Sequence, residues 1–92
     1  MANATEGVRD LVADALRTLP QPYTEDVTDD VCLAIEADQT LRQRYNELAA
    51  DLRDWVVNNW IGQYTAELTN RKSGEQVRSR SGLIQSYTKL RV

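Results

Sequence analysis

Apolar positions fall in successive blocks along the chain, and the spacing within each block predicts its element. Val8, Leu11, Val12, Ala15, Leu16 and Leu19 recur three and four residues apart, with Glu6, Asp10, Asp14 and Arg17 elsewhere around the turn. That is the period of an amphipathic helix. Thr5 stands where an N-cap belongs, and Glu6 lies in the first turn, where the helix dipole favours an anion. Pro20 and Pro22 end the helix, with Leu19 its expected last residue. A shorter helix follows. Val27, Val31, Ala34 and Ile35 form one face, Cys32 lies at its edge, and Leu33 points away. Thr24 or Thr28 is its expected cap, and Glu25, Asp26, Asp29 and Asp30 crowd its start as a solvated, dipole-favoured group.

Thr40 and Gln43 have capping-box spacing, so the next helix is expected from about Leu41 and runs without proline to about Leu68. Leu41, Tyr45, Leu48, Leu52 and Trp55 share one side of it. Val56, Val57, Trp60, Ile61, Tyr64 and Leu68 share another, so the apolar stripe swings round the helix near Trp55. Two partners for one helix would explain the swing, as would a break near Asn58-Asn59 or Gly62. Unbroken, the helix would be about 42 Å long, longer than the roughly 30 Å diameter of a compact domain of this size. A second chain covering the overhang would be expected at Trp55, Val57, Trp60, Ile61 and Tyr64.

Residues 70–81 read as a polar connector containing Gly74, with a second capping-box spacing from Ser73 to Gln76. Leu83, Ile84, Tyr87 and Leu90 then have helical spacing, with Ser81 as cap. The competing reading is a strand with Ile84, Thr88, Leu90 and Val92 on one side, weakened by Ser86 on that side and by the lack of an obvious partner. The fold expected is all-α: a single domain over 1–92, a bundle of three or four helices with one long central helix at about 41–68.

Charge changes this picture at the C-terminus. Residues 1–70 hold 5 of the 11 basic and 13 of the 14 acidic residues, a net of −8, whereas residues 71–92 carry a net of +5. This basic arm has three readings. Arg71, Lys72, Arg78, Arg80, Lys89 and Arg91 would meet phosphates, with Tyr87 stacking on a base; or the arm would fold back on the acidic body of the same or a neighbouring subunit; or it would be a solvated tail with no special role. The acids Glu25, Asp26, Asp29, Asp30, Glu36 and Asp38 offer carboxylates to a basic partner or a hard cation, but they lack the spacing and central glycine of a calcium loop.

Catalytic chemistry finds little support. The chain has no histidine, the commonest general base, and a single cysteine, so zinc sites of the Cys/His kind are excluded. Cys32 sits in an apolar, acid-flanked segment that would raise its thiol pKa and blunt it. No phosphate-binding glycine pattern occurs. No catalytic, metal or cofactor site is expected, and the chain is read as a non-enzyme. No apolar run is long enough to span a bilayer and no leader opens the chain, so a cytoplasmic location is expected.

Residues 56–64, from Val56 through Asn58, Asn59, Trp60, Gly62 and Tyr64, together with 83–90, from Leu83 to Leu90, resemble small uncharacterised proteins of bacterial prophages and mobile elements. The resemblance implies a bacterial cytoplasm and an accessory role, and it carries no active site. The function expected is non-catalytic protein–protein interaction, with the chain itself as a homodimer partner and an unidentified protein as another. The alternative is a small nucleic-acid-binding or regulatory protein using the basic arm.

Overall fold

The computed structural model describes residues 5–91. Within them the order is α1 (Glu6–Arg17), α2 (Val27–Ala37), α3 (Gln39–Leu52), α4 (Asp54–Leu68), β1 (Ser73–Arg78) and β2 (Ser86–Leu90). The protein is therefore mostly helical but not all-α, because β1 and β2 form an antiparallel pair.

The first two helices follow from the hydrophobic pattern. Val8, Leu11, Val12, Ala15 and Leu16 are all buried on α1, and Val27, Val31, Cys32 and Ile35 on α2. The ends differ slightly. Helix α1 stops at Arg17, with Thr18 as its C-cap, two residues before the expected end. Helix α3 starts from Asp38, not from the Thr40–Gln43 pair. The Asp38 carboxylate accepts from the Leu41 amide at 2.9 Å, satisfying a donor that the helix leaves open.

The expected long helix is two. The chain turns at Arg53, whose φ of 81° and ψ of 147° break the helix between α3 and α4. The swing of the apolar stripe near Trp55 marks this corner. Arg53 lies five residues before the first of the break points expected, at Asn58-Asn59. The domain measures 32 × 25 × 24 Å, so nothing overhangs, and the case for a second chain built on overhang disappears. The Arg53 backbone lies beside a region that glycine alone occupies freely, at a cost of about 1–3 kcal/mol. Arg53→Gly removes that strain and loses about 0.5–1 kcal/mol to chain entropy. We expect a net gain of about 1 kcal/mol, read as a rise of about 5 °C in Tm. An unchanged or lower Tm would show the corner to be relaxed.

Helix α4 ends in a Schellman turn. Asn70 takes φ 56°, its amide bonds Glu67 O at 3.2 Å, and the Arg71 amide bonds Ala66 O at 2.8 Å. That turn launches β1. The terminal helix expected after Ser81 is instead β2, and its partner is the connector read as polar loop. Val77 pairs Tyr87, Gln76 pairs Thr88, and an irregularity separates Ser73 from Gln76. Of the rejected strand's apolar side, Ile84, Thr88 and Leu90 are buried; Val92 lies outside the described residues. Ser81 does cap, but it caps a turn: its hydroxyl accepts from the Leu83 and Ile84 amides, each at 3.1 Å. Strand β2 lies against α4 and α2.

Thr28 is 1% exposed, and its hydroxyl has no hydrogen-bond partner among the described residues. An unsatisfied buried hydroxyl costs about 1–3 kcal/mol. Thr28→Val keeps the shape and drops that cost, so a stabilisation of about 1 kcal/mol is expected in urea unfolding. A loss of stability would mean the hydroxyl is bonded in solution.

Candidate functional site

The acidic body and the basic arm meet at the start of α2. Asp29 is 4% exposed. It accepts from the Ser79 hydroxyl at 2.7 Å, from the Arg80 amide at 3.1 Å, and from the Arg80 guanidinium Nε. Arg80 Nη2 reaches Asp30 at 3.3 Å, and Asp30 also accepts from the Thr24 hydroxyl at 3.0 Å. Burial pushes the Asp29 carboxyl up, but hydrogen bonds from Arg80 and Ser79 outweigh it and hold the pKa below the ordinary carboxylate range. Two turns further along α2, Glu36 accepts from the Gly82 amide at 3.0 Å. Asp29 is thus not a solvated helix-start acid. It anchors the turn between the strands. The sequence signal for this was its place three residues before Cys32, on the edge of the buried face.

The other residues assigned to phosphate contact are spread out. Arg71 spends its guanidinium on Thr24 O at 2.9 Å and Tyr23 O at 3.1 Å. Tyr87 is 8% exposed and cannot stack on a base from there; its burial, with the charges of Asp29 and Asp26, raises the phenol pKa. Arg78 is exposed at the turn end of β1. Lys72, Lys89 and Arg91 gather at the opposite end. The Arg91 amide bonds Lys72 O at 2.7 Å. Lys89 and Arg91 flank Gly74, and Lys89 Nζ lies 3.3 Å from Glu75.

The five residues assigned to an interface also separate. Val57 and Ile61 are fully buried in the chain's own core, so neither is available to a partner of the folded chain. Trp60 and Tyr64 are half-buried on the outer face of α4, their rings 5.2 Å apart and tilted by 30°. The Tyr64 hydroxyl bonds Thr5 Oγ1 at 2.8 Å. Trp55 is 66% exposed, the large hydrophobic left uncovered among the described residues. It stands in the first turn of α4, two residues after the strained Arg53.

Reactive groups are quiet. Cys32 is buried, and burial together with the charge of Asp29 pushes its thiol up to about 12. Tyr45 is pushed up to about 12, chiefly by burial, and donates to Asn58 Oδ1 at 2.7 Å. Among the described residues no three His, Cys, Asp or Glu side chains are grouped to hold a metal ion, and no helix is long and apolar enough to cross a membrane.

Sequence reasoning missed one surface feature. An open groove of about 560 Å³ runs between α1 and α3. Arg44 beside it is fixed by Asp14 at 2.7 Å, and that hydrogen bond, with the charges of Arg44 and Arg17, lowers the Asp14 pKa. Comparison with protein-family models, curated proteins and solved structures gave no match.

Proposed function

We propose that this chain is a non-catalytic interaction protein that binds another protein at the corner where α3 turns into α4. The observation that carries the reading is the exposed indole of Trp55. Leaving so large an apolar ring in water forgoes burial that most tryptophans achieve, and tryptophan is among the commonest anchors of protein interfaces. The strained backbone at Arg53 adds support, because such strain clusters at binding positions. A second copy of the chain is one partner this surface would accept. The resemblance to prophage and mobile-element proteins adds a bacterial cytoplasm and an accessory role.

Benzoylphenylalanine in place of Trp55 tests the reading by photocrosslinking in bacterial cells. A discrete adduct, to another protein or to a second copy, is expected there and not with the same group in place of Glu25. No adduct, or the same adducts from both positions, overturns it.

A nucleic-acid reading rests on the gathering of Lys72, Lys89 and Arg91 around Gly74. Three cations release few counterions, so affinity would be weak and would fall with salt with a log–log slope of about −3. Random-sequence DNA that fails to bind at low salt removes it.

A further inference from the structure

The groove between α1 and α3 is built from two helical stripes. Gly7 and Asp10 face it from α1, three residues apart. Arg44, Glu47, Leu48 and Asp51 face it from α3, with Ala50 at its edge. Arg44 stands three and four residues before Glu47 and Leu48, and these stand four and three before Asp51, the separations at which neighbouring turns of a helix present one face. The two stripes are therefore the walls of a trough parallel to α3, about 10 Å from Arg44 to Asp51.

The chemistry of the walls is one-sided. Asp10, Glu47 and Asp51 form no ion pair among the described residues, and Arg44, the cation of the lining, shares Asp14 with Arg17 at 2.7 and 2.6 Å. The trough therefore presents three carboxylates against the single guanidinium of Arg44, a net negative lining. Its floor is apolar and shaped by a small residue. Leu48 packs against the core with part of its surface exposed, and Gly7 lies so close that an added Cβ would stand 2.9 Å from Leu48 Cδ2. Carboxylate rims over an aliphatic floor repel a phosphate backbone. They match a strip with the reverse pattern, cations at its margins and an apolar line between them.

We propose that this groove receives about two turns of a cationic amphipathic helix from a partner protein. Lysine or arginine side chains would reach Asp10 on one wall and Glu47 and Asp51 on the other, and an apolar side chain would rest on Leu48. This is the helix-in-groove mode of recognition. The inference rests on the interaction reading above and names the chemistry of the partner. Trp55 follows Asp51 by four residues, at most about 14 Å of chain, so the exposed corner lies near one end of the groove.

A 14-residue amphipathic peptide of leucine and lysine is the probe, titrated into the full-length protein labelled with ¹⁵N. The expected result is a saturable shift of the Gly7, Leu48 and Asp51 amides. The doubly reversed variant Asp10→Lys, Asp51→Lys should bind about tenfold or more weakly. The variant Glu25→Lys, Glu75→Lys, with the same charge change elsewhere, should bind within about twofold of the parent. Equal weakening in both variants overturns the proposal, as does a shift map centred outside the groove. So does equal binding of spermidine at the same amides, which would make the site a simple cation sink. Trp55 is not part of the groove lining, so the two readings fail separately. If crosslinking at position 55 persists in the Asp10→Lys, Asp51→Lys protein while the peptide fails to bind the parent, the corner stands and the groove falls.

Discussion

Gly62→Ala should lower Tm by about 5–10 °C, although it places a better helix former inside a helix. The gain in propensity is about 1 kcal/mol. Against it stands the approach of β2. A Cβ at position 62 would lie 2.5 Å from Thr88 Cβ, 2.6 Å from Thr88 O and 2.8 Å from Thr88 N. Two of those atoms are backbone in a paired strand, so no rotamer change relieves the contact. Helix α4 or β2 must move, and overpacking of this kind costs about 1–3 kcal/mol, with more where backbone must shift. At about 4–8 °C per kcal/mol for a domain of this size, the clash prevails over propensity. Gly7→Ala is the internal control. Its new methyl would meet only the end of the flexible Leu48 side chain, so its Tm should stay within about 3 °C of the parent. If Gly62→Ala melts like Gly7→Ala, the contact between α4 and β2 is loose in solution, and the strand pairing loses its main support.

That contact also explains what the sequence could and could not tell. The faces of α1 and α2 were legible because each is a single stripe against a single core. The break at Arg53 was not, because nothing at Leu52-Arg53-Asp54 is a conventional helix breaker. The visible signal was indirect, a stripe that changes side near Trp55. Strand β2 was hidden for a different reason. Leu83, Ile84, Tyr87 and Leu90 satisfy a helical period, and Tyr87 and Thr88 are adjacent and both buried, so the alternation of a half-exposed strand is lost. Its partner β1 is polar along most of its length and reads as linker. What makes a strand of these residues is tertiary: Gly62 lets β2 lie close on α4, and Asp29 holds the intervening turn. The candidate surfaces divide in the same way. Composition drew attention to the aromatics of the third block, but only burial separates Trp55 from Val57 and Ile61. The groove needs α1 and α3 to be neighbours, which no local pattern states.

Asp29→Ala should be the most damaging substitution of a charged residue. It leaves the Ser79 hydroxyl and the Arg80 amide without their acceptor in a part-buried turn, and it removes the carboxylate that the Arg80 guanidinium meets. Losing a largely buried acceptor of this kind costs about 2–3 kcal/mol, so Tm should fall by about 10 °C or more. The Ser79 amide, which bonds Gln85 O at 2.9 Å across the turn, should exchange with solvent sooner than amides of α1. Asp29→Asn should fall between the parent and the alanine variant, since an amide keeps one acceptor but turns a donor toward the guanidinium. The pH dependence has a definite sign. The folded-state pKa of Asp29 is depressed. Its contribution is therefore fully present above the unfolded value of about 3.9 and is lost as pH falls from there through the lower folded value. The stability difference between parent and Asp29→Ala should hold constant from about pH 7 to about pH 5 and shrink below about pH 4. A difference that shrinks on the alkaline side, or one that persists undiminished at about pH 2, would mean that the carboxylate is not what holds the basic arm to the acidic body. The charge asymmetry of the chain would then have to act outside the fold.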